Sequence, residues 1–173
     1  MGMPYGEAGK PDQRMEGITN AKYSDFLHLP HGLKGFFDYE EGMAYARKEE
    51  LPVLLDFKGH ACSNCKEMES KVWSDPSVLS RLRDDYVIIA LYTDDRTKLP
   101  EEEWIRSEYD GKVKKTLGRK NMDLQINRFN TNTQPFYVLV DPDGNLLAEP
   151  RGHDLDIRAY AEWLDGGLKN FRN

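Results

Sequence analysis

The chain has 173 residues, 39% hydrophobic and 31% charged, and its 30 acidic side chains outnumber 24 lysines and arginines for a net charge of −6. That length is enough to bury the core of a single domain, and an acidic balance with no basic cluster excludes a nucleic-acid-binding surface. No apolar run reaches the ~20 residues needed to cross a bilayer, so this segment is not expected to insert directly into a membrane.

In chain order, residues 1–33 are rich in glycine and proline and read as a linker or loosely docked arm ahead of a domain over 34–173. The opening MGMPYGEAGKPDQRMEG lacks the apolar centre of an export signal, so any targeting part is expected outside this chain. Gly35 to Phe37 predicts a short first strand. Asp38, with Glu41 three residues on, predicts a capped helix through about Glu50. After Pro52 the run VLLDF is short and apolar enough for a buried central strand.

SNCKEMESKVW reads as a helix with Met68 and Val72 on its inner face. SDPSVLSRLRDD opens a second helix, with Asp75 or Ser74 as cap and Pro76 at its first position. YVIIALYT is a second central strand by its β-branched content. From Asp94 to Gln134 the chain is polar, and Leu117 to Phe129 sets Met122, Ile126 and Phe129 at helical spacing. The stretch from Asp94 to about Thr116 is long for a connection and is read as an insertion serving as a lid or partner contact. FYVLV from Phe136 is a third strand, and DPDGN turns it into LLAEP as a hairpin. Asp154 is expected to cap a last helix, with Ile157, Tyr160, Ala161, Leu164 and Leu168 on one side. The order β-α-β-α-β-α-β-β-α resembles a thioredoxin-like α/β fold. Its central mixed sheet is flanked by helices, with the insertion between the second central strand and Pro135.

Both cysteines, Cys62 and Cys65, follow the VLLDF strand at the mouth of a helix. A bridge across CxxC closes so small a loop that it adds little as a structural staple. At a helix mouth, backbone N–H groups and the helix dipole stabilise a thiolate, which makes Cys62 the attacking sulfur and Cys65 the resolving one. His60, Cys62 and Cys65 would supply three zinc ligands, but His28, His31 and His153 offer no recognisable fourth position. Lys66 stands where haem attachment requires histidine. The expectation is therefore no metal and no cofactor beyond the redox-active disulfide. A metal-binding or redox-inert interaction module is the alternative, and retention of both cysteines speaks against it.

Pro135 stands directly before the third strand, where thioredoxin-like folds carry a cis proline beside the disulfide, and it is expected to be cis. Asp56 lies six residues before Cys62 and shares a strand face with Leu54. A carboxylate in such a run is costly unless hydrogen-bonded or protonated. Glu69 follows Cys65 by four residues, on the same helix face. Two carboxylates near the pair would raise a thiol pKa and relay its proton.

The stretch DFKGHACSNCKEMESKVWSDPSVLSRL resembles the C-terminal periplasmic thioredoxin-like domain of the thiol:disulfide interchange protein DsbD family, on Asp56, Cys62, Cys65, KEME and the SDP opening of the next helix. With Pro135 the similarity spans roughly Gly35 to Leu168. The resemblance implies a periplasmic protein-disulfide reductase fed by a membrane-embedded electron-donor domain. Its electrons would pass to envelope partners that isomerise disulfides or mature cytochrome c. It also implies that Asp56 and Glu69 flank the active site. Departures fall on the docking surface. Ala61, preceded by His60, replaces the usual aromatic residue, and Ser63-Asn64 fills the space between the cysteines. The expected docking residues are Pro135, Gln134, His60, Ala61, Ser63 and Asn64.

Overall fold

The structure, a computed structural model, describes residue 18 and residues 20–173. Its elements in chain order are α1 (Tyr39–Glu49), β1 (Val53–Lys58), α2 (Ser63–Met68), α3 (Pro76–Asp85), β2 (Val87–Tyr92), β3 (Ile105–Arg106), β4 (Val113–Lys114), α4 (Leu117–Phe129), β5 (Phe136–Val140) and α5 (Ile157–Arg172). Three of the strands form a mixed sheet of order β2-β1-β5. β1 runs parallel to β2, with Asp56 opposite Ala90, and antiparallel to β5, with Asp56 opposite Tyr137. β3 and β4 pair as a small separate hairpin.

Successive side chains of a strand point to opposite faces, and β1 divides its residues accordingly. Leu54 joins a core with Met68, Val72 and Trp73, closed by Leu82 of α3 and Tyr160 of α5. Leu55 and Phe57 join the other core, with Met43 of α1 and Ile89 of β2. A third cluster, including Leu27, Leu99 and Leu117, covers the outer side of β2 around Ala90 and Tyr92. Asp38 accepts the Glu41 N–H at 2.9 Å and Asp75 accepts that of Ser77 at 3.0 Å, so both expected caps form. Among the described residues no helix is long and apolar enough to cross a membrane.

Several local expectations are corrected. Gly35 to Phe37 makes only a single bridge, Phe36 against Ile89, because Asp38 turns the chain at once into α1. The hairpin after β5 is reduced to isolated bridges, Val140 with Leu146 and Tyr137 with Arg151. α5 is capped by Asp156, which accepts the Ala159 N–H at 2.9 Å, while Asp154 instead accepts the N–H of Asp156. α4 forms as expected, but Met122 and Ile126 are only partly buried. Its buried positions include the polar residues Asn121, Asp123 and Gln125. Asn121 Nδ2 donates to the Tyr92 carbonyl and Gln125 Nε2 to that of Thr133, which explains how two amides occupy an interior face. The expected loose arm does not describe residues 20–33. There Ala21, Leu27 and Leu33 are buried in the three cores, because each brings an apolar side chain with nowhere else to be covered. The earlier part of the arm, residues 1–17 and 19, lies outside the described residues.

Candidate active site

β1 ends at Lys58, and the turn Gly59 to Ala61 delivers Cys62 to the start of α2. Cys62 is the N-cap in extended conformation, and its Sγ accepts the Cys65 N–H at 3.1 Å. The two cysteines form a disulfide, with Cα atoms 5.3 Å apart. Cys65 is buried and Cys62 partly exposed, while Ala61, Ser63 and Asn64 are exposed around them. The pair thus presents one sulfur outward and keeps the other inside, at a terminus whose free N–H groups favour negative charge. After Met68 the helix widens into one π turn, Glu69–Trp73, which buries Val72 and Trp73 and anchors α2 in the core. The Trp73 Nε1–H donates to the Tyr160 hydroxyl at 3.1 Å, so that anchor leaves no buried donor unpaired.

The loop before Cys62 is held by the residues that follow β2. Asp94 accepts the N–H of His60 at 2.8 Å and that of Ala61 at 3.1 Å. A side chain at Gly59 would meet the same carboxylate at 3.1 Å, so glycine lets Asp94 come close. His60 stacks on Tyr92, ring centroids 4.3 Å apart, and its Nε2 bonds Asp95 Oδ2 at 2.8 Å. Burial works against the charge on Asp95, but bonds from Thr97 and His60 outweigh it and hold its carboxyl below the usual range.

Beneath the cysteines, the face of β1 turned toward α2 carries charge. Asp56 is buried, only 2% exposed, and its Oδ2 has no hydrogen-bond partner. Lys58, two residues on, is also buried, and its Nζ donates to Glu69 Oε2 while lying 4.9 Å from the centre of the Tyr92 ring. Burial is the main cause that lifts the Asp56 carboxyl to about 7. Lys58 pulls against that shift and Glu69 adds to it. For Lys58, burial disfavours the ammonium, but Asp56 and Glu69 together hold its pKa above the ordinary lysine value. A cleft of about 340 Å³ opens beside this group, lined by Leu29, Pro30, Lys58, Cys65, Glu69 and Tyr92 among others. His31, from the same arm as Leu29 and Pro30, bonds the Glu69 carbonyl at 2.6 Å.

The Gln134–Pro135 peptide is cis and Pro135 is buried. Gln134 turns its amide inward, donating to Gln125 Oε1 at 2.8 Å and the Asn132 carbonyl at 3.0 Å. On another side of α2, His153 Nε2 bonds Glu67 Oε1 at 2.6 Å and ties the loop before α5 to the helix that carries the cysteines.

The structure therefore places Glu69 against Lys58 on the Asp56 side of the sheet. It gives His60 and Ala61 backbone bonds to Asp94. Four residues in this arrangement escaped sequence reasoning. Lys58 carried a signal, since alternation from Leu54 through Asp56 puts it on the same face. Tyr92, Asp94 and Asp95 carried none, for they lie far along the chain from the cysteines and meet the loop only through the β1–β2 pairing.

The thioredoxin-like domain family matches residues 39–165. No curated protein matches the chain. Among solved structures, a DsbH oxidoreductase superposes with a TM-score of 0.58 at 18% identity, over 83% of this chain and 91% of that one. The C-terminal domain of Neisseria meningitidis DsbD in its oxidised form gives 0.52 at 20% identity, over 77% of this chain and 98% of that one. Identities this low speak for a shared fold and leave the chemistry to the residues of this chain.

Proposed function

The chain belongs to the thioredoxin-like domain family, and from that premise we propose that it is a dithiol–disulfide oxidoreductase working as a protein-disulfide reductase. The observation that carries the reading is the Cys62–Cys65 disulfide at the start of α2, one sulfur accessible and the other buried. In the reduced form the Cys62 thiolate attacks a partner disulfide, and the partner's second sulfur leaves and takes a proton. Cys65 then loses its proton and attacks Cys62 Sγ, which releases the partner as a dithiol and leaves this domain oxidised. Two electrons pass per cycle. Asp56 and Glu69 tune the thiols and move the proton, and Pro135, Gln134, His60, Ala61, Ser63 and Asn64 shape the face on which partners dock.

The resemblance to the DsbD family extends the reading to place and partners. Electrons arrive from a membrane-embedded donor domain, and they leave to periplasmic proteins that isomerise disulfides or mature cytochrome c. The DsbD and DsbH folds among the structural neighbours support that extension without carrying it.

Trapping tests the mechanism. Cys65→Ser is expected to accumulate mixed disulfides through Cys62 and to reduce insulin only at background rate, and Cys62→Ser to form none. Cys65→Ser chains that trap nothing in an envelope extract would sink the mechanism. Titration against glutathione tests the direction, where about 30 mV is a tenfold change in equilibrium constant. A potential below that of the glutathione couple supports a reductase, and one well above it overturns that assignment.

A further inference from the structure

The chain between β2 and α4, long for a connection, folds around a second cleft, of about 620 Å³. Backbone contacts fix its shape. The N–H of Leu117 donates to the Thr97 carbonyl and that of Gly118 to the Asp95 carbonyl, both at 2.9 Å, so the first turn of α4 lies on the chain leaving β2. A side chain at Gly118 would sit 2.6 Å from the Asp95 oxygen, and glycine permits that approach. Tyr109, 47% exposed, lines the cleft from the turn between β3 and β4. Asp94 lines it too, and its carboxylate holds the N–H groups of His60 and Ala61, directly before Cys62. The cleft therefore adjoins the loop that carries the attacking sulfur, and it is formed before any partner arrives.

The charges that line it fall into two groups. Asp94 is engaged by those two N–H groups, Asp95 by His60 Nε2 and the Thr97 N–H, and Lys114 by Asp110 Oδ2 at 2.8 Å. Arg96 and Arg119 are exposed, and neither guanidinium has a hydrogen-bonded or ion-paired partner among the described residues. Two free cations thus share an opening in which every other charge is already matched. A guanidinium presents a planar fork of donors that fits a carboxylate through two parallel bonds.

We propose that this cleft is a docking subsite for an acidic segment of the partner protein: Arg96 and Arg119 pair with Asp or Glu side chains that flank the partner's disulfide, and Tyr109 packs against the peptide between them. The inference rests on the oxidoreductase reading above and adds to it the sign of charge that a partner carries. The same forks would fit phosphate, but a polyanion would also meet Asp94, Asp95 and a chain of net charge −6. A protein segment that sets one or two carboxylates at the arginines avoids most of that repulsion. Exposed ion pairs contribute little each, so two of them select among partners without holding one tightly.

Synthetic peptides with one shared internal disulfide, flanked by Glu, Gln or Lys residues, test the charge directly. Their reduction by the full chain, kept reduced by dithiothreitol, is followed above the dithiothreitol background. Wild type is expected to favour the Glu peptide over the Gln peptide by about fivefold in kcat/KM, carried by KM. The net charge of −6 works against the Glu peptide, so a preference for it has to be local. Arg96→Gln combined with Arg119→Gln should abolish the preference and leave the Gln peptide within about twofold of its wild-type rate. Lys48→Glu, in the last turn of α1 ahead of the start of β1, lowers the net charge equally and should leave the preference intact. Arg96→Glu combined with Arg119→Glu should turn it toward the Lys peptide. Wild type that does not favour the Glu peptide overturns the proposal, as does a preference that survives the double Gln variant or falls as far in Lys48→Glu. A double Gln variant that slows all the peptides alike also overturns it, because the arginines would then support the Cys62 loop. If that variant does not fold, Arg96→Gln and Arg119→Gln are read singly, and a full preference in both overturns the proposal. Failure of the parent reading looks different: wild-type protein that reduces none of the peptides and no insulin.

Discussion

The two faces of β1 are buried alike and filled with opposite chemistry. Leu55 and Phe57 are 2% and 0% exposed, Asp56 and Lys58 2% and 5%. Phe57 meets Phe129 and Phe136, ring centroids 5.9 and 6.2 Å away, and needs nothing from them but surface. Lys58 meets a carboxylate and an aromatic face, and Asp56 leaves one oxygen without a partner. Depth alone therefore does not separate scaffold from site. What separates them is whether the buried group needs a particular partner in a particular protonation state. The apolar face should stabilise the fold equally at every pH, and the charged face should make stability depend on pH.

The largest expected effect tests the first half of that statement. Phe57→Ala removes a fully buried ring between two others and should cost about 3–5 kcal/mol. Guanidinium unfolding of the oxidised protein should give the same loss at pH 5 and pH 8, and a loss that changes with pH would break the contrast.

Asp56→Asn tests the second half, with a somewhat smaller effect. The folded chain keeps the Asp56 proton up to about pH 7, whereas the ordinary value is 3.8. Between those values the native state binds the extra proton, so the Asp56 contribution to stability is full below about pH 4 and is lost as pH rises to 7. The gap caps this loss at about 4 kcal/mol. Asparagine never ionises, so the variant should match wild type near pH 4 and exceed it by a few kcal/mol at pH 8, while its partner reduction slows. Wild-type stability that stays level across this range would mean that Asp56 is as well solvated as an exposed carboxylate.

The same contrast explains what could be read in the sequence. The apolar face follows from alternation, and so does the presence of Asp56 in a buried run, because period 2 is a property of the strand itself. The caps at Asp38 and Asp75 and the cysteines at a helix mouth are likewise local, set within a few residues, whereas the cis bond before Pro135 was legible only through the resemblance to thioredoxin-like folds. The spacing sets Glu69 four residues after Cys65 but does not show its partner, since Lys58 stands just past the apolar run and reads as the strand's end. Asp94 and Asp95 were legible only as part of a polar insertion. Their role depends on β1 and β2 pairing in parallel with Lys58 opposite Tyr92, which sets the ends of the two strands side by side. The misplaced cap of α5 has a similar cause. Asp154 and Asp156 are both chemically fit, and the bond from the Asp156 N–H to Asp154 decides which one starts the helix.

Asp94 gives the smallest effect and the sharpest test of where the charged face ends. Its carboxylate is exposed, yet it accepts two backbone N–H groups of the loop that carries Cys62. Hydrogen bonds at an exposed site compete with water, so Asp94→Ala should cost about 1 kcal/mol or less of global stability. The loop it frees sits directly before the attacking sulfur, and a penalty of that size on its docked geometry corresponds to roughly a fivefold slower reduction of a partner disulfide. Because Asp94 lies outside the buried Asp56–Lys58–Glu69 group, the loss should be the same at pH 6 and pH 8. A rate profile that shifts along the pH axis in Asp94→Ala would mean that the exposed carboxylate also tunes the proton step, and the charged face would then extend from the core to the rim of the site.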